Sequence, residues 1–279
     1  MRVAALTLVV LVAFAANSIL NRTAMAGGEA GPAAFATIRV VSGALALLLF
    51  AALSRQSLNL RTGRRPAAAA ALLLYVLGFS FAYLTLDAGV GALILFGGVQ
   101  VTMFAGALIL GDRPPILRWA GMGLGLTGLC WLCWPAGAAT VPLGGAVLMS
   151  FAALGWGIYS LLGSGVSEPL GETAGSFLVA APVTVLVWML SGEATGVTQL
   201  GWALAVVSGV VTSGLGYALW YSVLPKLDRS VAGLAQLSVP VIAVIGGALI
   251  LGEDVTLRAV LAGTLVLAGV ALGTLASRR

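Results

Sequence analysis

Gly106 to Asp112 reads GALILGD, and Gly247 to Glu253 reads GALILGE. Six consecutive identities closed by an acid, 141 residues apart, mark the chain of 279 residues as two copies of one unit. The same offset carries Asp87 onto Asp228, Val90 onto Val231 and Gly128 onto Gly269. With one further residue of slip, Phe14 falls on Trp156 and Ser18 on Ser160. The echo therefore runs from the first apolar stretch of each half to the last.

What surrounds the repeat is too apolar for water. The chain is 60% hydrophobic and 8% charged, against about 25% charged residues in an ordinary soluble domain, and its mean hydropathy is +1.09. A span needs roughly 20 mostly apolar residues. Ten stretches qualify: Ala4 to Asn21, Pro32 to Leu53, Ala67 to Leu86, Gly89 to Leu110, Ile116 to Trp134, Leu143 to Leu162, Ala174 to Leu190, Leu200 to Leu224, Val231 to Leu251 and Leu257 to Ala276. Their length favours helices over barrel strands, which alternate over about ten residues. The first stretch, behind Arg2, resembles a signal peptide. Nine further spans and a matching sixth stretch argue instead for a retained helix. No gap between spans is long enough for a soluble domain.

Lys and Arg concentrate in cytoplasmic loops. With the N-terminus inside, eleven of the fourteen fall on the inner side, from Arg2, Arg55 and Arg61 through Arg113, Arg118, Lys226 and Arg229 to Arg279. The outer side keeps Arg22 and Arg258, and Arg39 lies within the second span. Both termini are thus expected in the cytoplasm, and the basic balance calls for no nucleic-acid partner. Five spans per unit is an odd number, so the second copy enters the bilayer from the opposite face. Such inverted repeats enclose a midplane site and rock to expose it to each side in turn. The expected fold is an all-α integral membrane protein of ten transmembrane helices, residues 1–138 forming the first five-helix repeat and 139–279 the second, and the expected activity is carriage of a small molecule.

The second half, with Leu234-Ala-Gln-Leu-Ser-Val-Pro-Val241, then Gly247 to Glu253 and the Gly263 to Gly269 span, resembles the EamA module of the drug/metabolite transporter superfamily. The first half resembles it more loosely, through Pro32, Arg39 and Gly106 to Asp112. The resemblance covers the whole chain and implies ten helices in two inverted repeats and export of small metabolites across the bacterial inner membrane. Within the superfamily it is most similar to the YddG-type exporters, which implies aromatic and other large neutral amino acids as cargo. The halves differ: Val99 stands where the second has Pro240, and Asp112 where a Glu is usual.

Carriers of this kind interrupt matching spans near the midplane. Gly97-Gly98-Val99-Gln100 matches Ser238-Val239-Pro240-Val241. Pro240 lacks an N–H and frees the carbonyl of Gln236, so helix breaks are expected at Gly97, Gly98 and Pro240. Gln100, Gln236 and Ser238 beside them are candidates for the cavity wall; alternatively the two amides tie neighbouring helices together. Bulky side chains recur at helical spacing: Tyr75, Phe79 and Tyr83; Trp156 and Tyr159; Tyr217 and Trp220. Under the offset Phe79 matches Trp220, and Asn17 matches Tyr159. These residues read either as a wall for an aromatic solute or as helix packing, while Trp119, Trp134 and Tyr221, near span ends, read as an interfacial belt. Arg39, about seven residues or ~10 Å below Pro32 at 1.5 Å per residue, either meets a solute carboxylate as a gate, or snorkels outward or bonds carbonyls of a neighbouring helix.

The remaining motifs are structural. Gly123-Leu-Gly-Leu-Thr-Gly128 has the form of a dinucleotide fingerprint but lies in an apolar span with no preceding strand. It reads as close helix contact, like Gly121 with Gly125 and Gly269 with Gly273. Cys130 and Cys133, at i and i+3, are poorly spaced for a disulfide and read as small apolar residues. Asp87, Asp112, Asp228 and Glu253 sit at span ends as caps or gate contacts. With no His, no base beside any Ser or Thr, and no acid inside a span, the sequence offers no enzyme, no metal or cofactor site and no proton carrier. The expected protein is an uncoupled secondary transporter of aromatic amino acids, acting as a monomer among lipids by alternating access. A broad exporter of lipophilic drugs or metabolites, with or without proton coupling, is the second reading.

Overall fold

The computed structural model describes residues 2–56, 63–109, 111, 115–134, 141–163, 168–193, 196–223, 236 and 238–275. Helices account for nearly all of them. They are α1 (Arg2–Ala26), α2 (Pro32–Leu53), α3 (Arg65–Ala82), α4 (Ala88–Ile109), α5 (Ile116–Cys133), α6 (Leu143–Gly163), α7 (Pro169–Leu190), α8 (Gln199–Val207), α9 (Gly216–Val223), α10 (Ser238–Gly246) and α11 (Leu257–Leu275). A π-helical segment, Ser208–Leu215, joins α8 to α9 without a break, and a second, Gly247–Leu251, continues α10. No strand occurs among the described residues.

Local chemistry sets several of the starts. Proline opens α2, α3 and α7, where its missing N–H would have had no partner in any case and its fixed φ suits the first turn. Thr198 caps α8, its hydroxyl oxygen accepting the Gly201 N–H at 3.0 Å. Six helices, α1 to α4, α6 and α7, are long and apolar enough to cross a membrane; Ile116–Leu132, Gln199–Leu215, Ser238–Leu251 and Leu257–Gly273 are shorter apolar helical stretches. Large apolar side chains face outward all around the bundle, among them Leu53, Met189, Leu190 and Leu249, the last 82% exposed. In water such a surface would aggregate. Against lipid it is ordinary.

The packing follows a pattern. α3 lies against α6, and α1 against α8, α9 and the π segment between them; α4 also meets α6, and α1 also meets α10. α2 pairs with α7, α5 with α11 and α4 with α10. The α5–α11 seam brings two backbones into contact. A Cβ on Gly121 would stand 2.3 Å from the Gly269 carbonyl oxygen, one on Gly269 would stand 2.4 Å from that of Gly121, and one on Gly128 would stand 2.9 Å from that of Ala262. The glycine pairs expected to allow close contact are therefore in backbone contact with each other.

Two expectations change. α4 runs unbroken from Ala88 to Ile109 through Gly97 and Gly98. Those glycines admit neighbours instead: a Cβ on Gly97 would press on Leu129 and one on Gly98 on Ala153. The departures from α geometry occur in the second half, at the two π segments. Pro240 is the third residue of α10; residue 237, just before that helix, is outside the described residues, as are Asp112, Asp228, Lys226, Arg229, Tyr221's side chain and the chain's last four residues.

Candidate functional site

The α-helical period brings Phe14, Asn17, Ser18 and Asn21, at i, i+3, i+4 and i+7, onto one face of α1. This face meets α3 and the π segment. Ser208 donates to Asn17 Oδ1 at 2.6 Å, and Thr212 reaches the same oxygen at 3.0 Å. Asn17 Nδ2 lies 3.4 Å from Tyr75 Oη, and one turn along Asn21 Nδ2 donates to Ser80 Oγ at 3.0 Å. The π segment gives adjacent residues different duties. Thr212 serves α1, and Ser213 accepts from Arg39 Nε of α2 at 3.1 Å. Gly209 lets the two elements come together, since a Cβ there would lie 2.4 Å from the Arg39 carbonyl oxygen.

Arg39 is 1% exposed. Its Nη2 donates to Tyr75 Oη at 2.9 Å, and its guanidinium carbon lies 5.2 Å from the centres of both the Tyr75 and Phe79 rings, within reach of cation–π attraction. Around this polar knot the aromatic side chains close ranks. Trp156 of α6 packs on Tyr75 at 4.9 Å and on Tyr217 of α9 at 5.1 Å; Phe14 meets Tyr217 edge-on at 6.0 Å. Between them is a cavity walled by Phe14, Asn17, Ser18, Tyr75, Phe79, Leu95, Phe96, Trp156, Thr212 and Tyr217. The cavity volume is about 20 Å³, room for one or two waters. An amino acid would need the walls to part.

Of the expected site residues, Asn17, Tyr75, Phe79, Trp156 and Tyr217 are brought together as walls of this cavity, with Arg39 directly behind them. Tyr159 and Trp220 form an outer layer, packing on Trp156 at 5.8 Å and Phe14 at 6.1 Å. Tyr83 packs on Phe79 at 4.8 Å, with its hydroxyl 3.4 Å from the Ala88 carbonyl oxygen. Gln100, Gln236 and Ser238, partly buried, and Gly97, Gly98 and Pro240 are not among the walls. The hydroxyls Ser208, Thr212 and Ser213 were not anticipated, and Phe14 and Ser18 were seen only as repeat matches. The available signal was the crowding of three hydroxyls into six residues of an apolar span.

Ionic ties hold both ends of the bundle. At one end Arg22 meets Glu253 at 3.3 Å and Asp87 at 3.4 Å, and donates to the Tyr83 carbonyl oxygen at 3.1 Å. Glu253 also accepts the Ala88 N–H with both oxygens, at 3.0 and 2.9 Å, capping α4, as expected of a carboxylate at a helix N-terminus. Burial pushes the Glu253 carboxyl above its ordinary value; the Ala88 N–H opposes this, Asp87 adds to it and Arg22 opposes it. At the same end Glu193 caps α2 through Ala33 N at 2.7 Å and Ala34 N at 3.0 Å. At the other end Arg65 of α3 pairs with Glu172 of α7 at 3.0 Å.

Comparison with known proteins adds three findings. The model of the EamA-like transporter family matches residues 143–275, inside the second of the two expected units. An uncharacterized protein of Pseudomonas aeruginosa is 44% identical over 96% of this chain and 92% of its own. The uncharacterized transporter YoaV of Bacillus subtilis is 24% identical over 87% of each chain, and the uncharacterized inner membrane transporter YedA of Escherichia coli 26% identical over 81% of this chain and 76% of its own. One solved crystal structure, 20% identical, superposes with a TM-score of 0.70 over 99% of each chain, a likeness of fold alone.

Proposed function

The chain belongs to the EamA-like transporter family, and from that premise we propose that it exports neutral amino acids with aromatic or other large apolar side chains. It is a multi-pass transporter of the bacterial inner membrane. In this reading residues 1–138 and 139–279 are YddG-like five-helix units of opposite orientation, both termini are cytoplasmic, and the units rock to open the cavity alternately to each side.

The packing supports the inverted arrangement. The 141-residue offset carries α1 onto α6, α2 onto α7, α3 onto the π segment with α9, α4 onto α10 and α5 onto α11. Two of the main contacts then exchange: α3 with α6 maps onto α9 with α1, and α4 with α6 onto α10 with α1. The contact of Gly269 with Gly121 maps onto that of Gly128 with Ala262, which is the reciprocity that a twofold axis requires.

The observation that carries the substrate is the cavity: six rings from five helices, with amide and hydroxyl groups between them and no carboxylate in the wall. Rings and area burial favour a flat or bulky apolar body. The lack of a wall carboxylate favours facilitated export down the solute gradient. Labelled tryptophan counterflow in proteoliposomes, competed by Phe, Thr and a quaternary ammonium drug, tests both points. We expect the order Trp and Phe, then Thr, then the drug, unchanged when an imposed proton gradient is collapsed. Competition led by the drug, or counterflow that stops with the gradient, overturns the reading in favour of a broad, proton-coupled exporter.

A further inference from the structure

Arg39 is a buried cation with no counter-charge among the described residues. No carboxylate among the described residues pairs with it, and its Nη1 is buried without a hydrogen-bond partner. A charge so placed is costly unless something completes it. Its bonded neighbours stand at the cavity. Nη2 holds Tyr75, a wall residue, and Nε holds Ser213, next to the wall residue Thr212.

The Tyr75 hydroxyl is the second unfinished group. Its oxygen accepts from Arg39 at 2.9 Å and lies 3.4 Å from Asn17 Nδ2. Asn17 is fixed in that orientation because its Oδ1 is taken by Ser208 and Thr212. With donors on its oxygen, the phenol keeps its own proton to give, and no group among the described residues takes it. A phenol polarised by a guanidinium is a strong donor. The wall thus presents an O–H backed by a positive charge, and no acid to receive an ammonium or a drug cation.

We infer that the Arg39–Tyr75 pair is the anion anchor of the cavity, and that the site selects its solutes by a carboxylate. The carboxylate accepts the Tyr75 O–H and lies in the field of Arg39, close enough for Nη1 to turn to it once the walls part. The rings of Trp156, Phe79 and Tyr217 cover the apolar body. Cations are rejected by like charge. This rests on the transport reading above and narrows it from neutral aromatic amino acids to solutes recognised through their carboxylate end.

The test compares two molecules of nearly equal shape, L-tryptophan and L-tryptophan amide, as competitors of labelled tryptophan counterflow in wild-type proteoliposomes. Losing a charge-assisted hydrogen bond predicts an amide about tenfold weaker or more. Tyr75→Phe keeps the ring and its packing while removing the O–H, so it should fold, bind tryptophan less tightly and lose most of the discrimination against the amide. A purely structural role for Tyr75 would leave the ratio of the two constants unchanged. Equal competition by amide and acid in the wild type, or undiminished discrimination in a folded Tyr75→Phe protein, overturns the inference while leaving tryptophan transport standing. Absence of any tryptophan counterflow overturns the transport reading and this inference with it.

Discussion

The α5–α11 seam and the central cavity are both contacts between the two halves of the chain, yet they are built on opposite principles. At the seam, glycine removes the side chains and carbonyl oxygens of one helix lie where a Cβ of the other would stand. At the centre, Arg39, Asn17, Tyr75 and the hydroxyls of the π segment join the helices by directional side-chain bonds. A backbone contact offers one arrangement and has nothing to exchange. A network of hydroxyls, an amide and a guanidinium can trade partners at small net cost, because each group finds another donor or acceptor. The seam is suited to stay fixed while the centre rearranges.

The largest effect should come from filling the seam. Gly121→Ala puts a methyl group 2.3 Å from a backbone oxygen, so relief requires moving a whole helix, and overpacking of this kind costs about 1–3 kcal/mol or more. Thermal unfolding in detergent should shift sharply downward; an unchanged midpoint would mean that the seam is looser than drawn. A smaller effect, confined to selectivity, is expected at the centre. Trp156→Leu removes a ring from the wall, and with aromatic pairs contributing roughly 0.5–1.5 kcal/mol beyond area, tryptophan should compete about 2–10-fold less well in counterflow while threonine is unaffected. Equal losses for both solutes would mean that Trp156 acts on the protein's shape and not on the solute.

The smallest effect belongs to Glu253, at the ionic end. Because the folded protein holds its proton more tightly than the ordinary carboxyl near 4.5, its contribution to stability is present below that value and is lost as pH rises through the higher folded value. Compared with Glu253→Gln, the wild type should lose stability across that window. A difference that grows with pH would mean that the ion pair with Arg22 outweighs burial.

Much of the fold was legible because it is written in residue types with one use. Pro32, Ile116, Leu143 and Leu257 each open both an apolar stretch and a helix, and Gly121, Gly128 and Gly269 mark a contact where a Cβ would press on the facing helix. The wall was half legible. Spacing put Tyr75 and Phe79 on one face of a helix, but it gave the depth of Arg39 and not its direction. Ser208, Thr212 and Ser213 were hidden by habit. In this chain Thr23, Ser42, Thr102, Ser150 and Ser160 all bond the carbonyl four residues back, so a hydroxyl in a span carries little signal by itself. The interruption was expected at Gly97 and Gly98 because glycine weakens helices in water. Here those glycines admit Leu129 and Ala153, and α4 stays whole. The partners of the π segment lie on α1 and α2, distant in sequence.

That π segment resembles a dislocation in a crystal. It holds more residues than an α-helix of the same rise, and everything downstream is phased by the surplus. Delete one residue between Ser208 and Leu215, and each later side chain swings by roughly 100° about the axis, the angle between neighbours at 3.6 residues per turn. Tyr217 would swing away from Trp156 and Phe14, and one of the six rings of the wall would be lost although no residue of α1, α3 or α6 had changed.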